Sequence, residues 1–401
     1  MSANRDTWVF ASTVAAAAAV LLSIAGAETL LAIACLGWIV ERPRPIVLPS
    51  YVVPLCAFMA TTILALVMSP QPDIGMGAVR KFVLFTMGLL AANFVSTPRR
   101  ARIAHGALIA VASATSIFGL VQFAIAYGHY LSTQNLADDP TVLARITGFM
   151  GHWMTFSDEL LLVWCAAIPA VLVLGRRWMI PLGIVGAALV LSFTRSVWLG
   201  AIAGFVVVAL IVPRKVLIGV ALPIALVAVA ASGLIYHRFS MSFQQQKFAP
   251  DSGRVDLFFG GARMIKDHPL FGVGPERIHT EFPRYHRRND LPNYYGHLEN
   301  NVMQLAAERG LLCLAAFLWF IFELYASLIG MLKIASEETR WAVLSALSAL
   351  TGFMVAGLFE YNFGDSEVLL LLLFIVSLPF GINKRILVEN LCPTNLISIP
   401  N

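Results

Sequence analysis

Residues 296–310 read Gly296-His297-Leu298-Glu299-Asn300-Asn301-Val302-Met303-Gln304-Leu305-Ala306-Ala307-Glu308-Arg309-Gly310. They run directly into Leu311-Leu312-Cys313-Leu314-Ala315-Ala316-Phe317-Leu318-Trp319-Phe320 and on to Met331. The first stretch holds a histidine, two glutamates, two asparagines, a glutamine and an arginine. The second is the kind of apolar run, about 20 residues long, that crosses a bilayer as a helix. Polar groups at a membrane boundary are costly unless they are paired, solvated or used. This junction therefore indicates both a membrane-spanning fold and a place to look for function.

The rest of the chain agrees. Of 401 residues, 58% are hydrophobic and 13% charged, against about 25% charged in soluble domains. Mean hydropathy is +0.77. The apolar runs are continuous rather than alternating, so they read as helices and not as barrel strands. The expected fold is an all-α polytopic membrane protein. The five cysteines, Cys35, Cys56, Cys165, Cys313 and Cys392, form no CxxC pair, and none lies in the long polar loop. They suggest neither a disulfide framework nor a thiolate metal site.

Twelve spans are expected. The run over 8–40 is too long for one crossing and is divided at Gly26-Ala27-Glu28. The others lie near 51–68, 78–96, 103–127, 156–174, 178–193, 197–212, 216–235, 301–331, 341–361 and 367–381. A small-residue cleavage site at Ala25-Gly26-Ala27 is the alternative reading of the first run. The chain thus divides into nine transmembrane helices over 1–235, a large, partly helical loop over 236–296, three helices over 297–385 and a tail over 386–401.

Positive charge sets the orientation. With the N-terminus inside, every second connection is short and basic: Arg42/Arg44, Arg99/Arg100/Arg102, Arg176/Arg177, Arg214/Lys215, Lys333/Arg340 and Lys384/Arg385. The alternate connections, including 236–296, then face outside, and both termini are cytoplasmic. The loop over 236–296 carries nine Lys/Arg against six Asp/Glu, plus four histidines. Most of those cations are arginines, whose forked guanidinium matches phosphate oxygens at two points. Arg195, between two apolar runs, Arg80 and Lys81 near the fourth span, Arg145 in another outer connection, and Arg254 in the loop all fall on the same side. Together they suggest a binder of something multiply negative at the outer interface. Nucleic acid is not expected, since no recognition motif is present.

The chemistry that remains is a base beside cations. No HExxH, P-loop or GxSxG motif occurs, and Gly272-Val273-Gly274 is a poor phosphate loop on its own. Asp365 and Glu367 with Glu360 make only a small acidic patch. His297 or Glu299 can take a proton from an attacking hydroxyl, while the arginines neutralise a departing anion. Asn300, Gln304 and Glu308 are four apart and share one helix face. They are read as supporting residues.

Several segments resemble the O-antigen ligase superfamily, which also contains O-antigen polymerases and protein O-oligosaccharyltransferases. They are His268-Pro269-Leu270-Phe271-Gly272-Val273-Gly274, His297 to Gln304, Glu308-Arg309-Gly310, Arg145-Ile146-Thr147-Gly148, Thr194-Arg195-Ser196 and Ser252-Gly253-Arg254. About twelve spans with a large loop before a late helix also resemble the family pattern. That pattern has His-x-His-Asn followed by a glycine eleven residues after the second histidine. His297, Asn300 and Gly310 match it. Glu299 stands in place of the second histidine, and Cys313 in place of a later small residue. The resemblance implies an inverting, metal-independent glycosyltransferase without cofactor, at the periplasmic face of a bacterial inner membrane. Its donor would be a glycan on undecaprenyl pyrophosphate and its acceptor a sugar hydroxyl of lipid A–core. Arg195, Arg254, Arg80, Lys81 and Arg145 would meet the pyrophosphate. His297 or Glu299 would be the base, and Asp365 would orient a sugar or an arginine. A polymerase with a second lipid-linked repeat as acceptor is the sibling reading. A transporter of lipid-linked anionic glycans is the reading of another class. Against transport, the spans carry little charge in their middles, apart from Glu323 in the tenth and His105 near the inner end of the fifth.

Overall fold

The computed structural model describes residues 6–42, 46–212, 214–248, 253–285 and 296–383. Among them the chain is helical throughout. The N-terminal half contains α1 (Thr7–Ala19), α2 (Ile24–Glu41), α3 (Val52–Val67), α4 (Met76–Arg80), α5 (Thr86–Phe94), α6 (Pro98–Thr133), α7 (Trp153–Leu174), α8 (Met179–Leu191) and α9 (Arg195–Ala209). A 3-10 turn, Lys81–Phe85, links α4 to α5. Then follow α10 (Arg214–Ala230), α11 (Ser232–Phe248), α12 (Gly253–Asp267), α13 (Ile278–Glu281), α14 (Asn301–Ile334), α15 (Glu337–Ala356) and α16 (Ser366–Ile382).

Each of the twelve expected segments is helical over most of its length. By length and composition, six stretches among the described residues suffice to cross a membrane: α2, α4–α5 taken together, α6, α7, α14 and α15. A seventh results if α10 and α11, bent by 63°, form one span. α1, α3, α9 and α16 are apolar but shorter. Burial explains α16. Residues 368–381 are all inside the protein, and a helix apolar all round is an interior element.

Two boundaries differ from expectation. The first long run breaks at residues 20–23, not at Gly26–Glu28. The Ser23 hydroxyl caps α2 by accepting from the Gly26 amide, which places Gly26 and Glu28 inside the helix; a serine cap outweighed a tolerated glycine. α11 runs across the expected loop boundary at 235/236, because the helix continues through polar residues. Arg44, Asp251, Arg287, Arg288, Asp290, Lys384, Arg385, Cys392 and the tail over 386–401 lie outside the described residues.

The interior is built from close helix contacts. α15 packs on α7 and α9, where Gly200, Gly204 and Gly352 let the backbones approach. A Cβ on Gly200 would stand 2.5 Å from the Gly352 carbonyl. The Ser348 hydroxyl donates to the Gly204 carbonyl at 2.9 Å, and Ser345 to the Ala166 carbonyl at 2.6 Å. Small residues and hydroxyls replace the hydrophobic effect between helices that lipid cannot drive together.

Contacts also sort the connections into two ends. At one end Arg100 makes a two-point ion pair with Asp6 at 2.7 Å, and the Trp8 indole donates to Glu41. At the other end the turn between α15 and α16 receives Lys81, Thr155, Arg254, Asn300 and Asn301. Of the connections expected to face outside, those over 128–155, 236–296 and 362–366 therefore meet at one end of the bundle.

Candidate active site

The start of α14 is where this end is assembled. Asn300 caps the helix by accepting from the Met303 amide at 2.9 Å, and its amide donates to the Leu358 carbonyl at 2.7 Å. Asn301 is buried. It donates to Asn362 at 2.7 Å and accepts from the Phe363 amide at 3.1 Å. Two consecutive asparagines thus serve both as a cap and as a clamp on the α15–α16 turn, which fixes what lies on either side of them.

Upstream of the clamp, His297 and Glu299 project together, with 3.6 Å between Nδ1 and Oε1. Glu299 holds a left-handed backbone, φ 53°. A non-glycine residue costs about 1–3 kcal/mol there, and such strain gathers at functional sites. His297 lines a polar cavity of about 210 Å³ together with His152, Thr155, Asp158, Glu360 and Asp365. Asp365 accepts from the Thr155 hydroxyl at 2.9 Å. Burial raises the pKa of the Asp365 carboxyl, while the Thr155 bond, Lys81 and His297 act in the opposite direction. Burial, and then the facing Asp158 carboxyl, hold Glu360 well above the usual carboxylate range. Burial and the nearby Arg145 lower the pKa of His152.

Guanidinium groups gather beside this cavity. Arg145 stacks over Trp153 at 4.2 Å from the ring centre. Its pKa is pushed down to about 9, first by burial and then by the charges of Arg238 and Arg195. Arg195, the first residue of α9, lies within electrostatic reach of Arg254 and Arg238. Arg254 itself points at the Phe359 carbonyl, 3.4 Å away. These like charges repel one another, while Asp139 acts on Arg238 and Glu299 and Glu360 on Arg145 in the opposite direction; a bound anion would relieve the repulsion that remains. Lys81 donates to the Gly364 carbonyl at 2.7 Å and faces Asp365 rather than the arginines. Arg80 is exposed and makes no hydrogen bond or ion pair to the described residues.

Gln304 and Glu308 do share a helix face, as their spacing requires, but they do not line the cavity. Gln304 donates to Glu308 and accepts from the Leu298 amide at 2.8 Å. Glu308 pairs with Arg309 at 3.1 Å, their side chains 3% and 8% exposed. Arg309 reaches the Tyr361 and Thr62 hydroxyls at 3.5 Å. Next to this pair α14 is broken. Gly310 has φ 83° and ψ 172°, a region open essentially to glycine alone. The segment 268–274 crosses there. Its Val273 and Gly274 amides donate to the Ala307 and Glu308 carbonyls at 2.9 Å, and the Leu311 amide donates to the Pro269 carbonyl at 2.8 Å. A Cβ on Gly272 would collide with the Glu308 backbone, and one on Gly310 with the Leu270 carbonyl. The two glycine-containing motifs thus interlock backbone to backbone. Cys313, where a smaller residue is expected, is buried 3.4 Å from the Thr62 hydroxyl.

Asp158, Glu159, His152, Thr155 and Arg238 were not singled out in the sequence. Asp158 and Glu159 had a signal: two adjacent acids at the head of an apolar run are expensive and call for a reason. They also qualify the argument that the spans carry little charge.

The sequence model of the O-antigen ligase family matches residues 180–318, and over that stretch the chain is similar to the family. No curated protein matches the chain. The match covers Arg195, Arg254, His297, Glu299, Asn300, Gln304 and Glu308. Arg145, Lys81, Asp158, Glu360 and Asp365 lie outside it and join the site through the fold alone.

Proposed function

We propose that this membrane protein is an inverting, metal-independent glycosyltransferase of the O-antigen ligase type. It moves a glycan from undecaprenyl pyrophosphate to a sugar hydroxyl of lipid A–core at the periplasmic face of the inner membrane. The observation that carries this reading is the convergence of Arg145, Arg195, Arg238 and Arg254 beside His297 and Glu299. Guanidiniums in a site with little water stabilise charge developing on the leaving pyrophosphate. The acceptor oxygen forms its bond to the anomeric carbon as the bond to the pyrophosphate oxygen breaks. The hydroxyl proton passes to His297 or Glu299, and the bond's electron pair leaves with the pyrophosphate.

An apolar cavity of about 470 Å³ between α8, α9, α10 and α11 supports a prenyl donor. It is lined by Trp198, one helical turn from Arg195, and by Phe239, next to Arg238. A hydrocarbon tail there leaves its diphosphate among the arginines. We assign α1, α3, α8, α9 and α16 to spans as well and take α10–α11 as one bent span, which gives twelve spans with the segment between α11 and α14 outside.

The test is transfer by purified protein, given lipid-linked glycan and either lipid A–core or a second lipid-linked repeat. Product on lipid A–core is expected. Product only on the second repeat makes the protein a polymerase, and flipping without transfer in proteoliposomes makes it a transporter. Glu299→Gln beside His297→Ala assigns the base, since loss of activity in one alone, with folding retained, identifies the proton acceptor.

A further inference from the structure

Asp139 has no place in the chemistry described so far. It lies between α6 and α7 and is 1% exposed. A carboxylate withdrawn from water to that degree is costly unless its oxygens are met, and here both are. Oδ1 accepts from the Thr141 amide at 2.8 Å and from the Thr141 hydroxyl at 2.7 Å. Oδ2 accepts from His237 Nε2 at 2.8 Å. The Asp139 carbonyl also accepts from the Val142, Leu143 and Ala144 amides, which winds 139–144 into a tight turn. Arg145 follows directly and is fastened to that turn, its Nε donating to the Val142 carbonyl at 3.1 Å. His237 belongs to α11 and immediately precedes Arg238. One buried carboxyl group therefore joins the segment that carries Arg145 to the helix that carries Arg238.

The joint bears a load, because the two guanidiniums it brings together repel one another. Before an anion arrives, that repulsion pushes the α6–α7 connection and α11 apart. A fastener between them keeps the cations in place in the empty site, so that binding need not supply the energy of gathering them. We propose that Asp139, through its bond to His237, is a positioning residue of the anion site: it holds the α6–α7 connection against α11 so that Arg145 and Arg238 face the same diphosphate. Neither residue touches the substrate in this arrangement. The inference rests on reading the arginine cluster as the diphosphate site. A carboxylate that acted only as a counter-charge to Arg238 would weaken the hold on an anion, so its removal would tighten binding. Fastening and counter-charge thus predict effects of opposite sign.

The experiment uses the full chain in nanodiscs with a polyprenyl-pyrophosphate-linked glycan and lipid A–core. Asp139→Asn keeps an acceptor for Thr141 and removes the charge, while His237→Phe keeps a ring and removes the donor. Each is expected to raise the donor KM about tenfold or more, with kcat and the acceptor KM within about threefold of wild type. His237→Gln retains a side-chain N–H for the carboxylate and is expected to bring the donor KM back to within about threefold of wild type. The double variant Asp139→Asn with His237→Phe should be no worse than the poorer single one, since both break the same bond. A donor KM unchanged or lowered in either single variant overturns the proposal. So does a loss shared equally by kcat, both KM values and the melting temperature, which marks general damage to the fold. If Asp139→Asn is not recovered folded, His237→Phe decides, at a side chain 36% exposed. If wild type transfers no glycan, the transferase reading fails, and calorimetric binding of inorganic pyrophosphate decides instead. Affinity weaker by about tenfold in both single variants upholds the positioning role. Equal or tighter binding in either, or none in wild type, overturns it.

Discussion

Two polar clusters meet at one end of this otherwise apolar protein, and they are opposites. Around Gln304, Glu308 and Arg309 the charged and amide groups have partners: each other, the Leu298 amide, and the Tyr361 and Thr62 hydroxyls. Around Asp158 and Glu360 two carboxyl groups meet beside the polar cavity, with Asn362 donating to Asp158 at 3.4 Å. Both clusters are equally withdrawn from water. The difference shows that burial alone does not distinguish them; what does is opposite charge in one and like charge in the other. A satisfied network of opposite charges specifies a structure, whereas facing carboxyls favour the protonated form.

The comparison can be broken first at the interlock that holds the satisfied cluster. Gly310→Ala puts a Cβ against the Leu270 carbonyl in a conformation that suits only glycine. A loss above about 3 kcal/mol is expected, seen as failure to recover folded protein or as a collapse of the melting temperature in detergent. Native-like melting would show that the crossing of 268–274 over α14 is dispensable.

Next in size is Glu308→Ala, which strands the buried Arg309 charge and should cost about 3–5 kcal/mol. The double change Glu308→Leu with Arg309→Met removes both charges and should cost clearly less. Equal losses in single and double variants would mean that the pair is not what stabilises this region.

Arg195→Glu should behave in the opposite way. Transfer is expected to fall by about 10²-fold or more while thermal melting stays near that of wild type. Full activity in this variant would remove the arginine cluster from the mechanism.

The smallest effect concerns Glu360 and pH. Its folded pKa lies well above the ordinary 4.5, so the folded state favours the protonated carboxyl. That contribution is complete below the unfolded value and is lost as pH rises through the folded one. Glu360→Gln mimics the protonated form at every pH. Its melting temperature should match wild type near about pH 4 and exceed it increasingly as pH rises above that. A constant offset over that rise would show that Glu360 does not titrate in the cavity.

Much of this was legible along the chain. The polar stretch before α14 was recognisable, Asn300 at the cap follows from its position, and alternating basic connections grouped the outer segments that the fold does bring together. Arg195 and Arg254 were selected by their setting, and they do converge. Other features were not legible. Four-residue spacing put Gln304 and Glu308 on one face but could not tell whether that face met a cavity or Arg309 and Leu298. Arg80 and Lys81 are neighbours in sequence, yet one is exposed and the other is drawn to the α15–α16 turn. Asp158 was hidden because a window average over an apolar run dilutes two acids. Its neighbours Glu360 and Asn362 come from a turn two hundred residues away.

The order of residues by itself determined that this chain is helical and apolar enough for a membrane, and which of its segments are polar and basic, because hydropathy and charge act through local solvation that any window of sequence reports. Only the tertiary structure decided which buried polar groups are satisfied. A hydrogen bond depends on distances of about 3 Å between groups far apart along the chain, and only packing sets those distances.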